Sequence, residues 1–295
     1  MKKSVIKYIV GAAVLSVALA ANAREVDETI DAASDGHVEI VNISGSVDVY
    51  GWSKSSVEVT GELGSKVEEL ILERDGDKVL VKVKVPRNNS NNISSDLTVR
   101  VPEKSSIDVS TVSADITSKD IKGEQNLHTV SGDVIAEPVE SDTSAQAVSG
   151  DIDIIGDGSD IEVEATTVSG DVTVLEVSGS VAAEAVSGDI LVRDGSFDRA
   201  TLNSVNGEID FQAELRDDGK LSIETVNGDV DVQFSGDVSA RFDIETFNGD
   251  ITNCFGPKAQ RTSKYTPGLE LSFSEGDGDG RVTITTLNGD IDMCR

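Results

Sequence analysis

The pentapeptide Val148-Ser149-Gly150-Asp151-Ile152 is one of nine copies of a unit that recurs along the chain, centred on Ala114, Gly132, Gly150, Gly170, Gly188, Gly207, Gly228, Gly249 and Gly289. Successive centres lie 18, 18, 20, 18, 19, 21, 21 and 40 residues apart. A fixed period near 20 marks a stacked repeat array. The residue before the centre is Ser in the first five copies (Ser113, Ser131, Ser149, Ser169, Ser187) and Asn in the last four (Asn206, Asn227, Asn248, Asn288). The residue after it is acidic in every copy: Asp115, Asp133, Asp151, Asp171, Asp189, Glu208, Asp229, Asp250 and Asp290.

Downstream of the centre, apolar residues fall at alternate positions, as in Ile152 and Ile154 or Val172 and Val174. Upstream they alternate with the opposite parity, as in Leu221 and Ile223 before Gly228. Period-two alternation reads as strand. A slip of one residue between two strands requires a corner or bulge. A second glycine nine residues before the centre (Gly123, Gly179, Gly219, Gly280) suggests a return corner. Each period therefore reads as strand, corner, strand, corner, and one such coil cannot bury its apolar face alone. Stacking at about 4.8 Å produces parallel sheets around a continuous core. The expectation is an all-β, parallel β-solenoid of two sheets and about nine or more coils, with an atypical β cap at its N-terminal end. Short segments rich in Val, Ile and Thr argue against helical repeats, and a propeller blade needs about twice this period.

Residues 1–23 read as a secretory signal: Lys2, Lys3 and Lys7, an apolar run from Ile9 to Leu19, then Ala21-Asn22-Ala23 as the cleavage site. The run is too short for a stable membrane span. The mature chain would begin at Arg24 and be periplasmic, secreted or displayed at the cell surface. The formal charge is −29 over 295 residues. Such a surface repels nucleic acid and anionic lipid, favours basic or cationic partners, and keeps exposed strands apart.

Residues 24–105 do not repeat clearly but read as strands and form the natural cap of the array at 106–295. Asp75-Gly76-Asp77 signals a hairpin, and Ile43-Ser44-Gly45-Ser46-Val47 is a degenerate copy of the core unit. Gly51-Trp52, Val57-Glu58-Val59 and Leu97-Thr98-Val99-Arg100-Val101-Pro102, followed by the Val-Ser-Gly-Asp-Val ladder, resemble a bacterial β-strand-repeat family of unknown function labelled "putative adhesin". That resemblance covers nearly the whole mature chain. It implies an exported, envelope-associated protein without established catalytic residues.

The gap from Gly249 to Gly289 holds an insertion at about 255–281, with Lys258, Arg261 and Lys264 against the general acidity. Cys254 and Cys294 each lie five residues after their own repeat glycine. If those coils stack directly, the two Cα atoms come about 4.8 Å apart, within disulfide reach. A bond there would pin the last coil.

The acidic column needs compensation, because stacked like charges repel. Its carboxylates could accept backbone N–H groups at the corners, point into screening water, or share divalent cations weakly. The Asn column suits a stacked amide ladder. Asp277-Gly278-Asp279-Gly280 lacks the full pattern of a calcium loop. His37 and His128, the only histidines, have no partner at ligand spacing. No nucleophile motif, phosphate loop or basic aromatic patch is present, so no catalytic, cofactor or metal residue is assigned. The sequence points to a non-enzymatic envelope module that binds or scaffolds another surface component. A calcium-dependent adhesin and a polysaccharide-acting β-helix enzyme are the alternatives. The enzyme would need a carboxylate pair that the even spacing of acids does not single out.

Overall fold

The computed structural model describes residues 24–87, 91–263 and 267–295. Residues 1–23, read above as a signal segment, and Lys264 lie outside the described residues. The described chain forms 23 strands and no helix. Alternate side chains point to solvent and to a core dominated by Val, Ile, Leu and Ala.

The corner residues stand in one file. A Cβ on each corner glycine would collide with the carbonyl oxygen of the corner next to it: Gly132 with Ala114, Gly150 with Gly132, Gly170 with Gly150, and so on to Gly228 with Gly207. Gly170 also has φ +152°, a conformation unfavourable for L side chains. At this close approach each coil is hydrogen-bonded to the next through the corner itself, as in Gly150 N–H to Ser169 O at 3.0 Å and Ile152 N–H to Asp171 O at 2.9 Å.

Before the corner, strands such as Thr143–Ser149, Asp160–Ser169 and Ser178–Ser187 pair parallel and in register. After it, Ile152–Ile155 and Val172–Leu175 pair likewise. The two ladders enclose the core between them. Three residues before the corner a small or hydroxylated side chain points inward. Thr167 Oγ1 donates to Gly150 O at 3.1 Å and Thr246 Oγ1 to Gly289 O at 3.0 Å. These two hydroxyls are buried without loss, because each satisfies a corner carbonyl of the adjacent coil, whereas Thr225 Oγ1 at the equivalent position before Gly228 is buried without a partner among the described residues.

At the N-terminal end the degenerate copy is a coil of the stack: His37–Trp52 pairs in parallel with Ser106–Ile121, with Gly45 opposite Ala114. Lys78–Lys84 and Ser95–Pro102 form a further coil outside it. Antiparallel strands then cover the edges. Glu69–Asp75 pairs with Lys78–Lys84 through the Gly76-Asp77 turn, and Arg24–Asp31 lies on Ser56–Leu63.

The C-terminal end departs from chain order. Gly280–Asn288 pairs with 220–227 on one side and with Ala240–Asn248 on the other. The Gly289 coil, last in sequence, is therefore inserted between the Gly228 and Gly249 coils. Leu269–Glu275, from the insertion, runs antiparallel along the outer edge of Ala240–Asn248. The disulfide expected to pin the last coil in sequence is present: the Gly249 and Gly289 coils stack directly, and Cys254 and Cys294 are bonded with Cα atoms 5.0 Å apart.

Around this end the core changes from aliphatic to aromatic. Phe197, Phe211, Phe234 and Phe242 follow one another at centroid distances of 5.9, 6.3 and 6.0 Å, and Phe273 stacks on Phe242 at 4.5 Å. The return corners also differ from the glycine reading. Asp120, Glu140, Glu176, Asp194 and Asp218 take left-handed φ values between 52° and 61° there. Of the expected return glycines, only Gly179 has a positive φ, at 98°.

Gly170→Ala should destabilise the protein by ~2–4 kcal/mol in chemical denaturation, combining backbone strain with displacement of the adjacent coil. Gly158→Ala, at a turn with φ +84° and open space around it, should cost only about 1 kcal/mol. Equal losses at the two sites would contradict the close-approach account. Replacing Cys254 and Cys294 by Ser should remove about 4 kcal/mol by opening a loop of 40 residues. Thermal unfolding with and without reductant should reproduce that difference in the native chain and show none in the variant.

Candidate functional site: the corner face

The acidic column uses the backbone-accepting arrangement. Asp133 N–H donates to Asp115 Oδ1 at 3.0 Å, Asp151 N–H to Asp133 at 3.0 Å, Asp171 N–H to Asp151 at 2.9 Å and Asp189 N–H to Asp171 at 2.8 Å. The ladder continues from Glu208 N–H to Asp189 at 2.7 Å. It resumes with Asp290 N–H to Asp229 and Asp250 N–H to Asp290, both at 2.8 Å. Among the described residues the missing rung is Asp229 N–H to Glu208. One extra methylene carries the Glu208 carboxylate past the position that Asp occupies.

The Asn residues form the amide ladder: Asn227 Nδ2 to Asn206 Oδ1 at 2.9 Å, then Asn288 to Asn227 and Asn248 to Asn288, both at 2.8 Å. Both ladders follow the spatial order of the coils, not the chain order. Of the repeat-turn residues, Gly132, Gly150, Gly170, Gly188, Gly207, Gly228, Gly289 and Gly249 thus share one file. The acids from Asp115 to Asp250 run beside it.

The histidines are apart from each other, and His128 stands in register with Gln146, Thr166 and Glu184. His37 Nδ1 meets Ser106 Oγ at 3.0 Å, and half-buried His128 lies on the outer side of its strand. Trp52 Nε1 donates to Ser56 O at 2.8 Å and is covered by Lys54. Among the described residues, no group of three or more His, Cys, Asp or Glu is placed to hold a metal ion.

One feature of the repeat escaped the sequence reading. Two residues before every corner stands a large apolar side chain pointing to solvent. In spatial order these are Val112, Val130, Val148, Val168, Val186, Val205, Val226, Leu287 and Phe247, each 39–47% exposed. The parity upstream of the corner contained the signal: with Ile223 and Thr225 inward, Val226 must face outward. The file is about 38 Å long at strand spacing. Along its middle, a groove of about 350 Å³ separates Val168, Val186, Val205 and Val226 from Thr166, Glu184, Asn203 and Glu224. Scattered exposed apolar residues are ordinary, but a contiguous line is the mark of a contact surface.

The chain matches the model of the Toastrack family, DUF4097, over residues 25–182 and 175–293. It belongs to that family. No curated relative matches this Toastrack chain. It is similar to crystal structures described as a "putative adhesin" from Bacteroides fragilis (9% identity, TM-score 0.44, 92% of this chain and 97% of that one) and a "putative cell adhesion protein" from Clostridium sporogenes (12%, 0.21, 92% and 99%). A "putative lipid binding protein" from Parabacteroides distasonis is also similar (14%, 0.36, 91% and 96%).

The acid columns have an electrostatic cost where neutralising partners are missing. Desolvation, with Asp189, Asp229, Asp210 and Asp231 nearby, raises the Glu208 carboxyl above its ordinary value. Desolvation, with Asp210 and Asp292 on either side, raises Asp231. Arg193 pairs with Asp210 at 2.6 Å, whereas Asp231 has no ion-pair partner among the described residues. Raised native values mean that the folded state favours the protonated acids. Their stabilising contribution is complete below the unfolded carboxylate range of about 4. It is lost as pH rises through the native values. Asp231→Asn and Glu208→Gln should therefore raise the melting temperature at neutral pH, with the gain vanishing in acid. A gain that persists below the carboxylate range would show another origin.

Proposed function

We propose that the mature chain is an exported, non-enzymatic β-rod that binds another component of the cell envelope through its corner face. Residues 24–105 close one end of the array, and 106–295 present the repeated surface. The observation that carries this reading is the exposed apolar file. Val at that outward position favours the strand and pairs across coils, but Thr would serve as well, so an unbroken line of Val, Leu and Phe in nine coils points to a contact surface. Membership of the Toastrack family and the adhesin-like labels of similar proteins agree with an interaction role. A rigid solenoid holds such contacts at fixed intervals, so many weak contacts can be made together without ordering cost. The basic, apolar leader followed by Ala21-Asn22-Ala23 supports export, with the rod in the periplasm or at the surface.

The triple variant Val148→Thr, Val186→Thr, Val226→Thr, which keeps the β-branched shape and adds no charge, tests this. Its side chains replace exposed ones, so its circular dichroism and melting temperature should stay close to those of the native chain. On native gels of gently solubilised envelopes the unaltered protein should migrate in an assembly and the variant as free chain. Identical migration of the two would place the contact elsewhere.

A further inference from the structure

Resting on the corner face being the contact surface, we infer that its occupant is a basic amphipathic α-helix of a partner protein, laid along the groove parallel to the rod. Spacing is the first ground. Apolar rungs on the rod repeat at about 4.8 Å. The apolar seam of a helix repeats at about 5.2 Å per side chain. Same-face side chains of an extended strand repeat at about 6.8 Å. Over the four coils of the groove a helix drifts by about 1 Å, whereas a strand drifts by about 6 Å, more than one coil. A helix seam can therefore seat successive side chains between the valines and the opposite rail, and an extended peptide cannot.

Charge is the second ground. One margin of the file carries the column of acids. The other carries exposed Glu184, Glu224 and Glu245 on every second coil in space, about 9.6 Å apart. Two helical turns span about 10.5 Å, so cations seven residues apart would meet those carboxylates in succession. A second copy of this chain is disfavoured, because two such faces would bring carboxylate columns together on a molecule of formal charge −29.

The test uses the purified mature chain with three synthetic peptides of about 21 residues: a helix with Leu at heptad positions a and d and Lys at e and g, the same helix with Glu replacing Lys, and an alternating Val-Lys peptide. Binding is followed by fluorescence anisotropy, with zwitterionic phosphatidylcholine vesicles as a further arm. The Lys helix should bind at least tenfold more tightly than either other peptide. Val186→Thr/Val205→Thr, which keeps the β-branch and adds no charge, should weaken it at least tenfold with a melting temperature close to that of the native chain, and Glu184→Lys/Glu224→Lys should weaken it as well. Equal binding of the Lys helix to the valine variant would reduce the effect to bulk charge and overturn the proposal. So would stronger binding of the alternating peptide, or uptake by vesicles with no helix binding. If no peptide binds while the valine triple variant still loses its envelope assembly, the contact face stands and the helical occupant is wrong.

Discussion

The corner is the constraint on which this structure depends. Its glycine leaves room for the carbonyl oxygen of the neighbouring coil, and its aspartate accepts the next backbone N–H. The backbone can change direction without stranding a polar group, because each coil supplies the partners its neighbour lacks. Two parallel ladders then close over a thin aliphatic core, and the inward hydroxyls of Thr167 and Thr246 complete the hydrogen bonding where the chain turns. Every coil must hold its corner at the same height and rotation for this to work. That requirement is what sets the outward side chains in straight files.

Function follows from the same registry. The acids are tied into the backbone ladder and remain at the surface, where they give the face its sign. The outward valines form a second file, with the acid column on one side and, on the other, a column in which Glu184, Glu224 and Glu245 alternate with Asn203 and Thr285. The perturbed carboxyls here, Glu208 and Asp231, arise from desolvation and crowding along a column.

Both ends show how an open stack is finished. Antiparallel strands lie on the outer ladders at Glu69–Asp75, Arg24–Asp31 and Leu269–Glu275. They break the parallel register that another chain would need in order to continue the stack. At the C-terminal end, the disulfide and the Phe cluster reinforce the three coils whose spatial order differs from their chain order.

Much of this was legible in the residues themselves. The repeat of Gly150 and its equivalents, the change of parity around it, and the acid that follows it required corners and parallel coils. The equal offsets of Cys254 and Cys294 from their glycines brought them into one column. The outward valines were implied by the same parity, although their significance needed the neighbouring coils to appear as a continuous file. The left-handed acids at the return corners, Glu140 and Glu176 among them, carried no compositional mark, since Glu seldom adopts that conformation. Sequence by itself determined the coil: which residues turn inward, where the glycine corner falls and which acid follows it, because all of these are set within one period. Only the tertiary structure decided the order in which the coils stack. The Gly228, Gly249 and Gly289 corners share the same Asn-Gly-Asp chemistry, so each can seat against either of the others. Closing the outer edge with Leu269–Glu275 and sliding the Gly289 coil between its predecessors is a choice made by the packing of the whole end.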